Sequence, residues 1–229
     1  MDVPIKRTHW FFAEMDRFYG LAQNNLNPHI NNNEYNLETF KKYDLKTELE
    51  LIKELLVKSK SPMVFTHNDF RSANIMVLED NNNNNDLSDG QVVLCDFEYS
   101  SYGFRGHDFG YIISEWGRSM SDFAKPYTFP DDSVLLSLID IYIKESVRIL
   151  GKQYSDDKIN SREQLLKEMK IFTLSGCLFM TVFMLTNDEN AADSFELNKK
   201  VMMEICEVAY KGYWHIKDQL MEQHFFDNL

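Results

Sequence analysis

The stretch HNDFRSAN, residues 67–74, decides the fold of this chain, and the tripeptide DFE follows it at residues 96–98. Both lie beside short apolar runs of strand length, which cover residues 63–66, 75–78 and 91–95. Short apolar runs that are bounded by polar turn residues are typical of β-strands. The sequence therefore predicts a small hairpin region, residues 63–98, with polar side chains clustered in its turns.

The polar residues follow the spacing H-x-D-x-x-x-x-N and then an Asp at the end of a strand, which is that of a kinase catalytic loop and its metal-binding Asp. Phosphoryl transfer needs a carboxylate that accepts the hydroxyl proton, and Asp69 occupies that position. It also needs hard oxygen ligands for Mg²⁺ at the phosphates of ATP, here Asn74 and Asp96. His67 would orient the loop by hydrogen bonding. These residue types are also common in turns, but the complete set at this spacing favours function.

The charge balance limits the classes of partner. The chain has 24 Lys and Arg against 36 Asp and Glu, which gives a net charge of −12. A protein that binds the phosphate backbone of nucleic acids needs a basic surface, and so does one that adheres to an anionic membrane. The acidic balance instead suits a cationic ligand or a bound metal ion.

The cysteines and the longest apolar run both indicate a buried core. Cys95, Cys177 and Cys206 are far apart and lie in apolar runs, so we expect buried thiols in a reducing compartment. Residues 171–186 are apolar but are interrupted by polar residues, and the run is shorter than the roughly 20 residues that span a bilayer. We therefore predict a buried helix here.

Residues outside the hairpin region carry helical patterns. Apolar residues at helical spacing predict leading helices within 8–58, namely 8–20 and 37–58, with an Asn-rich loop at 22–36 between them. Three later helices are predicted from Asp132 or Ser133 to Leu150, from Ser161 to about Leu185, and over roughly 194–222. The polar run at 79–90 is a low-complexity loop. The predicted fold class is α+β, mainly α, without internal repeats.

Three segments resemble the choline/ethanolamine kinase family: HNDFRSAN at 67–74, LCDFEYSSYGFRGHDFG at 94–110 and SEW at 114–116. THWFFAEMDRF at 8–18 and SPMVF at 61–65 resemble the C-terminal lobe of the same family. The FEYSS and EW segments look more like the choline-preferring branch than the ethanolamine branch. The similarity becomes weaker in the second half of the chain.

The resemblance implies a protein-kinase-like C-terminal lobe, the fold that this family shares with the aminoglycoside phosphotransferases. It implies one domain over 1–229, with a catalytic and metal-binding region at 63–98 and a helical substrate-side part at 107–222. The N-terminal lobe is expected to be absent, because no glycine-rich loop and strand-borne Lys precede Trp10. The implied activity is ATP- and Mg²⁺-dependent phosphorylation of choline or ethanolamine for phospholipid biosynthesis, in the cytoplasm.

The resemblance also assigns residues to the site. Asp69 and His67 belong to catalysis, while Asn74 and Asp96 bind the cofactor and its metal. The substrate-binding residues are Glu98, Tyr99, Glu115 and Trp116. They would hold a small cationic amino alcohol between ring faces and carboxylates, in contacts worth about 0.5–2 kcal/mol each.

Further positions either support the site or depart from the family pattern. Asp108, in the RGHDFG turn, would brace the catalytic loop, and Arg105 would pair with it. Tyr111 and the residue after it stand where the family usually has Asn-His. Phe179 and Phe183 stand in the late helix that usually carries two Trp residues. These two rings either line the substrate pocket or belong to the core.

Two alternatives to an active amino-alcohol kinase stay open. A non-catalytic relative would pair with an intact kinase or bind a cationic metabolite, and the altered pocket favours it. A sister enzyme would phosphorylate another small alcohol, such as an aminoglycoside, but the FEYSSY and SEW segments argue against it. We expect no stable membrane insertion. Exposed apolar surface beside the catalytic loop would favour a homodimer or another association.

Overall fold

The computed structural model describes residues 10–30, 35–78, 91–118, 125–186 and 198–229. In these residues the chain forms eight α-helices and four short β-strands. The helices are α1 (Trp10–Leu26), α2 (Glu38–Lys42), α3 (Leu45–Lys58), α4 (Gly106–Ser114), α5 (Asp132–Leu150), α6 (Gln153–Asp156), α7 (Arg162–Leu185) and α8 (Lys199–Glu222). The strands are β1 (Met63–Thr66), β2 (Ile75–Leu78), β3 (Gln91–Leu94) and β4 (Ser101–Phe104). The predicted class, α+β and mainly α, is confirmed.

Helix α7 is the centre of the fold. Every residue from Glu168 to Phe179 is buried, and α1, α3, α4, α5 and α8 pack against the helix. The side chain of Ser161 caps its N-terminus by accepting a hydrogen bond from the backbone N–H of Gln164, as the sequence predicts. Within the described residues, α7 is the helix that is long and apolar enough to span a membrane, but 89% of its most apolar window is buried inside the protein. The apolar run at 171–186 therefore belongs to a core helix, as expected.

Helix α4 approaches α7 closely because two of its glycines face that helix. A Cβ atom on Gly110 would lie 2.2 Å from the backbone carbonyl of Phe172, and one on Gly106 would meet the ring of the same residue. Glycine permits such an approach because it has no side chain. The close packing fixes the position of α4, which carries Asp108 and is followed by Glu115.

The first helix is longer than predicted. The prediction ends it at Gly20 and places a loop from residue 22, whereas α1 continues to Leu26. Phe18, Ala22 and Leu26 are all buried and follow one another at four-residue spacing. Burial of this apolar face outweighs the tendency of Gly20 to end the helix. Gly20 itself lies on the exposed side of α1, with no neighbouring atoms close to it.

The predicted helix 37–58 is in fact two helices, α2 and α3. The break lies at Tyr43, whose backbone is extended, and at Asp44, whose carboxylate accepts hydrogen bonds from the backbone N–H and the hydroxyl of Thr47. The ring of Tyr43 stacks on Trp214 of α8, with ring centroids 3.6 Å apart. A cap and a long-range ring contact thus interrupt a continuous apolar stripe.

The later helices agree better with the prediction. Helix α5 begins at Asp132 and ends before Gly151, which has a φ of 88°. Helix α8 begins at Lys199, where Asn198 caps it, so the described part of the predicted helix 194–222 starts later than expected. Residues 194–197 lie outside the described residues, as does the predicted loop 79–90.

The strands form two antiparallel pairs rather than one sheet. β2 pairs with β3, so that Ile75 lies opposite Leu94, and this is the predicted hairpin. β1 pairs with β4, so that Thr66 lies opposite Ser101. Strand β4 is missing from the sequence prediction because its four residues, one of them glycine, show little apolar character.

Candidate active site

The strand pairing brings the two polar segments of the sequence together. Residues 67–74 connect β1 to β2, and residues 95–100 connect β3 to β4. Since β1 pairs with β4 and β2 pairs with β3, the two connections lie side by side. The backbone N–H of Cys95 donates to the carbonyl oxygen of Asn74 over 3.1 Å and extends the β2–β3 ladder into the connections.

Asp69 and Asn74 are in direct contact. The side-chain Nδ2 of Asn74 donates to Oδ2 of Asp69 over 2.7 Å and to the backbone oxygen of Asp69 over 2.9 Å. Both hydrogen atoms of the amide are thereby used, and its oxygen is left to other partners. The hydrogen bond from Asn74 to Oδ2 fixes the orientation of the Asp69 carboxylate.

The electrostatic surroundings of Asp69 favour a proton acceptor. Burial raises the pKa of the Asp69 carboxyl above its ordinary value, and the charges of Asp96 and Glu115 raise it further. The charge of Arg71 and the hydrogen bond from Asn74 oppose this rise. A carboxylate with a raised pKa is a stronger base than an exposed one, which suits proton transfer from a hydroxyl group.

His67 joins the two connections by hydrogen bonds of its ring. Its Nε2 donates to the carbonyl oxygen of Cys95 over 2.8 Å, because a carbonyl can only accept. Its Nδ1 accepts from the backbone N–H of Asp69 over 3.3 Å. The ring is buried and packs 4.8 Å from the ring of Phe97. The His67 ring therefore holds the loop in position by hydrogen bonding, which is the role that the sequence predicts for it.

Asn68 is a structural residue of the site that sequence reasoning misses. Its backbone has a φ of 66°, in the left-handed region that Asn tolerates better than most residues. Its Nδ2 donates to the carbonyl oxygen of Tyr99 and to the hydroxyl of Ser101, over 2.8 and 2.9 Å. Its Oδ1 accepts from the hydroxyl of Thr66 over 2.7 Å. The sequence feature that points to Asn68 is its position in a turn between His67 and Asp69, since Asn is one of the residues that tolerate a positive φ.

Asp108 braces the loop at residues 67–74, as predicted. Its two carboxylate oxygens accept hydrogen bonds from the backbone N–H groups of His67 and Asn68, each over 2.9 Å. Burial raises the pKa of Asp108, while these two hydrogen bonds lower it. Asp108 therefore ties the segment before Asp69 to α4 and, through α4, to the helical body.

The predicted pairing of Arg105 with Asp108 is wrong. Nη2 and Nε of Arg105 instead contact the two carboxylate oxygens of Glu168 on α7, over 2.7 and 3.0 Å. Both side chains are buried, and Asn160 accepts a further hydrogen bond from Arg105. Because Arg105 precedes α4 and α4 lies against α7, the nearest carboxylate belongs to the facing helix rather than to its own turn.

Glu115 is fastened to the catalytic loop. Its Oε1 forms an ion pair with Nε of Arg71 at 3.3 Å, and each of the two side chains is only 15% exposed. Its Oε2 accepts hydrogen bonds from the backbone N–H and the hydroxyl of Ser72, over 3.3 and 3.2 Å. The structure thus brings Glu115 into direct contact with the loop that carries Asp69. It also pairs Glu115 with a guanidinium that the sequence analysis leaves without a role.

The other predicted substrate residues lie at the surface beside this cluster. Tyr99 and Trp116 are 44% and 37% exposed, so both rings have an accessible part. Glu98 and Asp96 are exposed. The pKa of the Tyr99 hydroxyl is raised by partial burial first and then by the charges of Glu98, Asp69 and Asp96. Tyr99 therefore lies in the negative field of these three carboxylates.

The rings of the late helix belong to the core. Phe179 is 7% exposed and packs against Phe11, Phe18 and Phe183 with ring centroids 5.7–5.9 Å apart. Phe179 also meets the buried ring of Tyr111. Of the two readings that the sequence allows for these rings, the structure supports the core.

The donor set fits a magnesium ion that phosphate groups help to bind. Mg²⁺ in nucleotide sites takes one or two protein oxygens and completes its shell with water and phosphate oxygens. Asn74 offers an amide oxygen, and Asp96 offers an exposed carboxylate two positions after the end of β3, at a φ of 63°. Among the described residues, no group of three or more His, Cys, Asp or Glu has the arrangement of an all-protein metal site.

Comparison with known structures defines the class of fold. The chain is similar to the choline kinase of Cryptosporidium parvum Iowa II, with a TM-score of 0.66, 19% identity, and coverage of 97% of this chain and 61% of that one. This likeness shows the fold, which is kinase-like.

The sequence comparison then identifies the family. The family model described as choline/ethanolamine kinase matches residues 1–209, so the chain belongs to that family. It is 29% identical to a human choline/ethanolamine kinase, over 98% of this chain and 55% of the relative. It is 31% identical to a choline/ethanolamine kinase of Rattus norvegicus, over 78% of this chain and 45% of the relative. The chain spans about half the length of these curated relatives.

Proposed function

We propose that this chain forms the catalytic lobe of a phosphotransferase that uses ATP and Mg²⁺ to phosphorylate the hydroxyl group of choline or ethanolamine. The observation that carries the proposal is the geometry of Asp69. Its carboxylate is partly buried, is oriented by Asn74, and lies in the same cluster as Asp96 and Glu115. Membership of the choline/ethanolamine kinase family supports the same activity.

The chemistry assigned to the chain is one proton transfer and the orientation of the nucleophile. Asn74 holds Oδ2 of Asp69, so the other carboxylate oxygen is the one that accepts the proton of the substrate hydroxyl. The substrate oxygen then forms its bond to the γ-phosphorus as the bond from phosphorus to ADP breaks. Mg²⁺, when bound through Asn74 and Asp96, supplies charge neutralisation for the phosphates. His67 and Asp108 hold the loop in the required shape.

The substrate class follows from the charge of the site. Glu115 lies beside the catalytic loop, and Glu98 is close enough to influence Tyr99. Carboxylates beside accessible faces of Tyr99 and Trp116 provide what an ammonium group needs, since a quaternary ammonium is held by ring faces and opposite charge. The proposal thus selects a small cationic amino alcohol and not a nucleic acid.

The proposed setting is the cytoplasm, and the proposed unit is a single lobe that pairs with a second copy or with an intact kinase. Cys177 and Cys206 are buried, and burial raises the pKa of the Cys177 thiol to about 12, so neither is poised for disulfide exchange. Full burial was expected for Cys95, but its side chain is only half-buried. The reason is that Cys95 directly follows β3, whose residues are all exposed. The apolar side chains of β2 and β3 support an association surface.

The variant Asp69→Asn tests the catalytic assignment. Purified chain with ATP, Mg²⁺ and choline or ethanolamine is assayed for the phosphorylated product. We expect Asp69→Asn to lower the rate by about 10²–10⁴-fold, the typical contribution of a general base. The matched control is Asp140→Asn, which changes an exposed carboxylate of a surface ion pair with Arg162 and should leave the rate unchanged.

Two results would contradict the proposal. Equal rates for the wild type and Asp69→Asn would remove Asp69 from the chemistry. A wild-type chain with neither turnover nor magnesium-dependent nucleotide binding would favour the non-catalytic relative instead.

A further inference from the structure

The carboxylate best placed to bind a cationic substrate is already neutralised. Glu115 pairs with Arg71 through Oε1 and accepts hydrogen bonds from Ser72 through Oε2. The Glu115 and Arg71 side chains are largely enclosed, so their attraction is less weakened by solvent than that of a surface pair. An ammonium group that approaches Glu115 therefore meets a guanidinium in the same place.

We propose that Arg71 sets the affinity of the cation site: its guanidinium is an internal counter-ion of Glu115, and an ammonium substrate binds by displacing it. The inference rests on the proposed function, because it takes a cationic amino alcohol as the ligand. It adds that binding at this site is an exchange of one cation for another. The net charge around Glu115 is the same before and after the exchange.

Glu115 is the carboxylate at which this exchange matters. Glu98 and Asp96 are exposed, so water and salt screen their charges. One carboxylate oxygen of Asp69 accepts a hydrogen bond from Asn74, and the other is the proposed proton acceptor. Glu115 is enclosed and still close enough to raise the pKa of Asp69. An amino alcohol whose ammonium group is bound at Glu115 would thus have its hydroxyl group close to Asp69, the proposed proton acceptor.

The displaced guanidinium has a second carboxylate at hand. The charge of Arg71 already acts on Asp69, since it lowers the pKa that burial raises. Arg71 lies two positions after Asp69 on the same loop, so a change of its side-chain rotamer keeps it within the site.

The exchange costs every ammonium group the same, because each has to separate the same pair of Arg71 and Glu115. A primary ammonium donates charge-assisted hydrogen bonds to a carboxylate and so replaces those that a guanidinium can make. A quaternary ammonium has no N–H group and replaces only the charge. The contacts that the two types of ammonium make with Glu115 therefore differ, but the cost of displacing Arg71 does not, and its removal should strengthen the binding of both by a similar factor.

The inference is tested by binding measurements without nucleotide. Isothermal titration of choline, ethanolamine and tetramethylammonium is carried out on the wild-type chain and on Arg71→Gln. We expect about tenfold tighter binding of all three cations to Arg71→Gln, equivalent to about 1.4 kcal/mol. Arg71→Met, which keeps much of the apolar stem, should show the same gain, and Arg71→Lys should stay close to the wild type.

Controls separate this effect from a general change in charge. Arg162→Gln removes the same charge from an exposed ion pair with Asp140 and should change choline binding by less than about twofold. Glu115→Gln should weaken binding of all three cations, since it removes their carboxylate. Unchanged or weaker choline binding in both Arg71→Gln and Arg71→Met would overturn the inference.

The outcome can be separated from that of the proposed function. Phosphoryl transfer by the wild type, with no gain of affinity in the Arg71 variants, would overturn the inference and keep the kinase proposal. A gain of affinity without any phosphoryl transfer would keep the inference and overturn the kinase proposal for this chain.

Discussion

The helical body around α7 and the hairpin region that carries the site are held together in different ways. In α7 the apolar side chains are almost completely buried, as at Leu174 and Leu178. In β2 and β3 the apolar side chains face outward, and Val77 and Val92 are 55% and 61% exposed. The body is therefore stabilised by apolar packing, whereas the hairpin region contributes little to the core.

Polar contacts hold the hairpin region in place instead. Asp108 on α4 binds two backbone N–H groups of the catalytic loop. Glu168 on α7 accepts hydrogen bonds from Arg105 and Ser61, and the hydroxyl of Ser61 accepts one from the backbone N–H of Gly106. These contacts connect the residues before β1, the start of α4 and the N-terminal half of α7. The difference shows that the position of the site depends on a few buried polar residues.

The largest expected effect comes from breaking this connection at Glu168. Glu168→Ala leaves the guanidinium of Arg105 buried without its carboxylate, which costs about 3–5 kcal/mol in comparable buried pairs. We expect the free energy of unfolding in urea to fall by that amount. Asp140→Ala, in the exposed pair with Arg162, is the control and should cost less than about 1 kcal/mol. Similar losses for the two variants would show that the buried pair does not hold the regions together.

A smaller effect is expected at Asp108. Asp108→Asn replaces one of two accepting oxygens by an amide that faces a backbone N–H, and hydrogen bonds to charged groups contribute about 1.5–3 kcal/mol. We expect faster hydrogen exchange at the amides of His67 and Asn68, by about tenfold or more.

The control for Asp108 is another carboxylate that binds a backbone N–H group. Asp157→Asn changes the contact with the N–H of Ile159 in an exposed turn and should leave exchange at His67 and Asn68 unaltered. Unaltered exchange in Asp108→Asn as well would contradict the bracing of the loop by α4.

The smallest effect on stability is expected in the hairpin itself. Val77 and Val92 lie opposite each other on β2 and β3, and both are exposed. The double variant Val77→Thr and Val92→Thr should change the free energy of unfolding by less than about 0.5 kcal/mol per site, as surface substitutions usually do. It should lower concentration-dependent association in sedimentation experiments. A loss of stability as large as that of a core substitution would remove the distinction between the two regions.

The sequence predicts the local parts of the site well. The spacing from His67 to Asn74 and the position of Asp96 after a strand place these residues together, because a short hairpin leaves its two ends adjacent. The ion pairs are harder to predict. Arg105 pairs with a carboxylate 63 positions away, and Arg71 pairs with one 44 positions away. Such partners depend on how helices pack, which spacing along one element does not describe.

The sequence by itself determined the fold class, the core helix α7 and the spacing of polar residues in the loop at 67–74, because apolar periodicity and short-range spacing act within single elements. The tertiary structure alone decided that α4 lies against α7, through Gly106 and Gly110, and that Asp108 therefore meets the loop. It also decided that Arg71 neutralises Glu115. Charges select partners by distance in space, and that distance exists only after the helices and strands have packed.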